Sequence, residues 1–202
     1  MKTNLQPPQN IDEFFPWLKT ESEKFWETIE ISKGIYGFQI QAGTKWLPGL
    51  TDEQITAYEK EMGFAFPEIY KAFLRTMNGT DKQTINVMGN SGEPHGYGLG
   101  FYSYPRDIAV VKDMIGWICE EFKFTSNDLD IKDIPHIMPI VSHRFLVIDH
   151  YETNPVLSMY GNDVVPYADS LDHFLYYDIF SDFLDTKQQR NLGEMKIKFW
   201  LE

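Results

Sequence analysis

The side chains best suited to chemistry in this sequence are a few histidines, one cysteine and many carboxylates. His136, His143 and His150 recur every seven residues. On extended chain an odd spacing sends successive side chains to opposite faces, so this repeat does not gather a metal ion's ligands. Asp149 beside His150 has the letters of an acid–base dyad, but strand neighbours point apart and no serine-nucleophile motif accompanies them. Cys119 stands among Trp117, Ile118 and Phe122 at helical spacing, the setting of a buried structural thiol rather than a nucleophile. Gly89, Gly92, Gly96, Gly98 and Gly100 form a glycine-rich segment. It matches neither the dinucleotide fingerprint nor a Gly-Lys-Ser/Thr phosphate loop, and Phe101 falls where a third glycine would stand, so a loop between strands is expected. A carboxylate pair about 5 to 10 Å apart would serve a hydrolase, and spacing along the chain leaves that alternative open. With every motif incomplete, the expectation is no catalytic site, no metal and no cofactor.

Charge narrows the partners. The 202 residues hold 18 Lys and Arg against 30 Asp and Glu, a net charge of −12. That field opposes nucleic acid and anionic lipid and suits a basic protein. Between Asn127 and Asp185 stand eleven carboxylates against Lys132 and Arg144, which places −9 of the total in this segment. Within it Asp149, Glu152 and Asp163 fall at expected hairpin turns, which project from a sheet and carry exposed side chains. They are expected to line one rim and to form the partner-binding site. A single cysteine excludes an intrachain disulfide, and Gln6 to Asn10 interrupt the N-terminal stretch where a secretory signal needs apolar residues. No apolar run nears the roughly 18 to 20 residues that span a bilayer. A soluble protein of the reducing cytoplasm is expected.

The elements that must position these residues are readable in part. Asp12 to Ile31 predicts an aromatic-rich helix, broken or kinked near Pro16. Thr51-Asp52-Glu53-Gln54 is a capping box flanked by Leu50 and Ile55, and Gly63 supplies a left-handed stop. Pro67 opens a second helix with Ile69, Tyr70, Phe73, Leu74 and Met77 on its apolar stripe, ended by Asn78-Gly79. Short strands are predicted over 84–88, 98–104, 137–141, 145–149, 155–160 and 163–167, with turn residues pairing the later ones as a meander. Further amphipathic helices are predicted over 106–122 and 170–184, and Met195, Ile197, Phe199 and Leu201 alternate in the tail as an edge strand or a frayed helix would.

Residues 50 to 79, with Pro67, Tyr70, Phe73, Leu74, Asn78 and Gly79, resemble the SUKH superfamily and its Smi/Knr-type members. The order of PHIMPIV, FLVID, PVLSMY and DSLDHFLYYDIF downstream is similar too. The resemblance implies an α+β fold, a single curved, mainly antiparallel sheet backed by helices, here with an N-terminal helical extension. The corresponding division is 1–47 for the extension, 48–185 for the SUKH-like domain and 186–202 for a tail packed on it. It also implies a non-catalytic binding protein. Many bacterial members look like immunity proteins that bind and neutralise a toxin, which implies a protein toxin as partner, a basic nuclease-type one fitting the acidic rim, while fungal relatives imply the alternative of a regulatory interaction scaffold.

Overall fold

The structure, a computed structural model, describes residues 5–32, 39–86, 95–98, 100–149, 151–180, 192 and 195–201. Helix α1 runs Ile11–Glu27 without interruption, capped by the Asn10 side chain, which accepts from the Asp12 N–H at 3.0 Å. Pro16 does not break it. Proline removes a single backbone bond there, while Phe14, Phe15 and Leu18 on either side are buried.

Strand β1, Trp46–Pro48, leads to α2, Asp52–Met62, and α3, Glu68–Thr76. The capping box is present in full: Thr51 Oγ1 accepts from the Gln54 N–H at 3.3 Å and Gln54 Oε1 from the Thr51 N–H at 2.9 Å. Gly63 ends α2 at φ 86°, in the left-handed region. Pro67 sits as the N-cap of α3, one residue ahead of the helix. Asn78-Gly79 does not terminate α3. That helix stops at Thr76, and Met77–Thr80 is an entirely buried strand, β2, paired antiparallel with β1.

The hairpin of β3, Thr84–Asn86, and β4, His95–Gly98, follows, and then α4, Ile108–Glu121, and the short α5, Asp128–Ile131. The expected 98–104 strand is reduced to a bridge between Phe101 and Val141. The meander is β5, Ile137–Val141, β6, Arg144–Val147, β7, Val156–Tyr160, and β8, Asp163–Ala168, in that spatial order and antiparallel throughout; α6, Leu171–Phe180, closes the set. The described strands form three antiparallel sheets, β1–β2, β3–β4 and β5–β6–β7–β8, and residues 101–102 bridge the first to the last. The Thr80 N–H donates to Phe101 O at 3.2 Å, and the Tyr102 N–H to Ile140 O at 3.1 Å, linking β2 to β5. Register shifts at Pro139/Val141 and Val156/Leu157 bend the sheet locally.

Aromatic contacts fasten α1 to the rest. Phe15 meets Phe73 of α3 edge-on at 5.8 Å, Trp17 and Phe25 lie against Phe180 of α6, and Trp26 packs on Trp46 at 5.2 Å. The buried Trp46 indole donates to Ser22 Oγ at 2.8 Å, so the pairing is satisfied as well as packed. In the tail Ile197 and Trp200 are buried, with the Trp200 indole donating to Pro135 O at 2.9 Å and its ring edge-on to Phe122.

Candidate functional site

The expected acidic rim is divided by the meander itself. Successive hairpins reverse the chain, so the β6–β7 loop holding Asp149 and Glu152 lies at one end of β7, and Asp163, the first residue of β8, lies at the other. Five residues at roughly 3.3 Å each separate them by about 16 Å. Glu152 and Asp163 are exposed. Asp149 turns onto His136 instead: one oxygen accepts from the His136 N–H at 2.8 Å, and the other meets His136 Nδ1 at 2.6 Å. Asn154, at φ 48°, ties the same loop down by donating to Val147 O and Ile148 O.

His136 lies between two carboxylates, with Asp130 Oδ1 3.4 Å from its Nε2, and its ring packs tilted against Phe64 at 4.5 Å. The hydrogen bond that its Nδ1–H donates to Asp149, reinforced by the charges of Asp149 and Asp130 and opposed by burial, raises its pKa above the ordinary imidazole value. Beside this group Lys198 of the tail pairs with Asp133, and the Lys198 N–H donates to the Tyr151 hydroxyl. The cluster is an internal clamp joining β5, the end of β6, α5 and the tail.

His143 sits at the far end of β5 from His136, with its ring against Tyr160 at 6.2 Å. Burial, then the charge of Arg144, lowers its pKa. His150 lies outside the described residues. Among the described residues no group of three or more His, Cys, Asp or Glu is placed to hold a metal ion. Cys119 is fully buried on α4, and burial raises its pKa to about 11, which keeps it a thiol. Residues 87–94 and 99 of the glycine-rich segment lie outside the described residues, while Gly96 and Gly98 belong to β4. Tyr58, Tyr70 and Phe73 are buried, Tyr58 stacked on Tyr104 at 4.2 Å, so this trio packs the core.

What sequence reasoning passed over is the far end of β7. Tyr160 is 71% exposed although the strand is otherwise mostly buried, and Arg144 lies on the same sheet face. The signal available was a large aromatic residue directly before the Gly161-Asn162 turn.

The model of the SMI1 / KNR4 family (SUKH-1) matches residues 49–186, more than half of the chain. The chain belongs to this family. No curated protein matches it significantly. The SUKH-1 match begins after β1 and ends at residue 186, where the tail starts, yet α1 and the tail contribute Phe15, Leu18, Trp26 and Trp200 to the same core. Among the described residues no helix is long and apolar enough to cross a membrane.

Proposed function

We propose that this SUKH-1 protein is an immunity-type protein, acting in the cytoplasm, that neutralises a protein toxin by direct contact and performs no chemistry of its own. The family match over 49–186 carries the reading. The charge of −12 supports a basic partner, because complementary fields speed encounter and reject like-charged surfaces. A nuclease-type toxin meets that description, and covering its phosphate-binding surface would block its substrate. Asp149 is committed to His136, so Glu152 and Asp163, at opposite ends of β7, serve as separate steering charges rather than one rim. The test is co-expression with toxins encoded beside the gene: rescue of growth and co-purification are expected with one of them. Absence of rescue with every neighbouring toxin would overturn the reading. With the toxin in hand, Glu152→Gln with Asp163→Asn is expected to slow association and flatten its salt dependence.

A further inference from the structure

We infer that the exposed end of the β7–β8 hairpin, with the Arg144 guanidinium at its centre, is a docking surface for a protein partner that presents a carboxylate beside an apolar side chain. The inference rests on the reading that the chain works by binding protein, and it names the surface.

The register places the parts. Arg144 of β6 pairs with Ser158 of β7, which pairs with Val165 of β8. These three share a sheet face, and Tyr160, two residues beyond Ser158, joins them. Tyr160 and Val165 are 71% and 46% exposed, two of the four exposed large hydrophobic residues described. Trp117 of α4 holds the Tyr160 ring edge-on at 5.3 Å, and His143 lies against it at 6.2 Å. The aromatic platform is therefore fixed before a partner arrives.

Arg144 is the exception among the described arginines. Arg75 pairs with Asp52 and Arg106 with Asp107, both at 2.8 Å. Arg144 instead donates from Nη1 to Ser158 Oγ at 2.6 Å and lies 3.8 Å from the centroid of the Tyr167 ring, and its buried Nε has no partner. A guanidinium held over a ring and hydrogen-bonded to Ser158 has already given up most of its rotamer freedom, and its remaining N–H groups are suited to a carboxylate. A purely apolar partner would strip water from this cation without replacing it, which is costly, and a cation placed there would be repelled. A carboxylate beside an apolar group satisfies both halves of the surface. Acidic residues elsewhere then attract a basic partner from a distance, while Arg144 fixes its register on contact.

The test titrates two defined peptides, acetyl-Leu-Glu-Phe-amide and acetyl-Leu-Gln-Phe-amide, against the full chain labelled with nitrogen-15. The Glu peptide is expected to shift the amides of Arg144, Ser158, Tyr160 and Val165, binding at least about tenfold tighter than the Gln peptide, equivalent to about 1.4 kcal/mol. Arg144→Gln should abolish that preference, Arg144→Lys should keep part of it, and Tyr160→Ala should weaken both peptides, each in a variant whose spectrum remains dispersed. Equal affinity for the two peptides, or shifts mapping elsewhere, or no binding at millimolar peptide, overturns the inference. So does a concentration-dependent dimer seated on Tyr160, because the occupant is then the chain itself. Peptide discrimination without toxin rescue leaves this surface standing and removes the immunity reading; rescue without discrimination does the reverse.

Discussion

Asn78 holds both backbone hydrogen-bonding atoms of Tyr104: its Nδ2 donates to Tyr104 O at 2.6 Å, and its Oδ1 accepts from the Tyr104 N–H at 2.9 Å. A side-chain amide presents a donor and an acceptor on one side, as the N–H and C=O of a single extended residue do, so Asn78 pairs with Tyr104 as a residue of a neighbouring strand would. The pair fastens β2 to the segment that feeds α4, across 26 positions of sequence. Asn78→Asp keeps the shape but loses the donor and sets a carboxylate against a carbonyl. A loss of about 1 to 3 kcal/mol is expected, read as a lower urea midpoint with an unchanged slope. A variant as stable as the parent would show that the amide carries no load.

Gly79 and Gly63 separate two reasons for glycine. Both have positive φ, 74° and 86°. A Cβ on Gly63 meets nothing within 4 Å, whereas on Gly79 it would lie 2.7 Å from both Phe101 O and Tyr102 O. Gly63→Ala should therefore cost only the left-handed strain, about 1 to 2 kcal/mol. Gly79→Ala adds a clash with backbone that cannot rotate away and should cost clearly more. Thermal melts of the two variants side by side check the order, and equal losses would contradict the close approach at Phe101.

Phe73 and Trp26 test whether α1 shares the core of the SUKH-1 domain. Phe73 is 2% and Trp26 1% exposed, and both rings pack on Trp46. Phe73→Ala and Trp26→Ala are each expected to cost about 3 to 5 kcal/mol, through lost transfer energy and the cavity left behind. Because they meet at one ring, the double variant should depart from additivity. Chemical denaturation of the two singles and the double measures it. A negligible loss for Trp26→Ala would make α1 an ornament on the domain.

The parts of this fold that announce themselves in sequence are those whose cause is local. Thr51 and Gln54 satisfy one another across three residues, and Gly63 ends its helix by its own backbone freedom, so neither depends on distant chain. Strand β2 is different. Asn78-Gly79 reads as a helix stop, and its strand character comes from β1 and from Phe101, which no local pattern reveals. Helix α5 has four residues, too few to show a period. Asp149 looks like an exposed turn charge until His136, thirteen positions away, is folded against it, while Tyr160 looks like an ordinary strand aromatic until the turn leaves it in solvent. In each case a partner remote in sequence decides the role.

The same His136 makes stability depend on pH in a defined direction. Its folded pKa is raised, chiefly by Asp149 and further by Asp130, above the unfolded value of about 6.5. A base whose folded pKa exceeds its unfolded pKa binds more protons when folded, so its stabilisation is fully present below about pH 6.5 and disappears as pH rises through the folded value. His143, whose folded pKa is lowered by burial, acts oppositely in the neighbouring pH range, so the His136 contribution is read as the difference between the parent and Asp149→Asn. Urea denaturation at pH 6 and pH 8.5 is expected to show the parent losing more stability on the alkaline side than Asp149→Asn does. Asp149→Asn should remove most of that slope while keeping an acceptor for the His136 N–H. Proton NMR of the His136 ring gives the independent check: its midpoint should lie above 6.5 in the parent and fall in the Asn variant. A parent midpoint at or below the unfolded value would break the link between this clamp and pH.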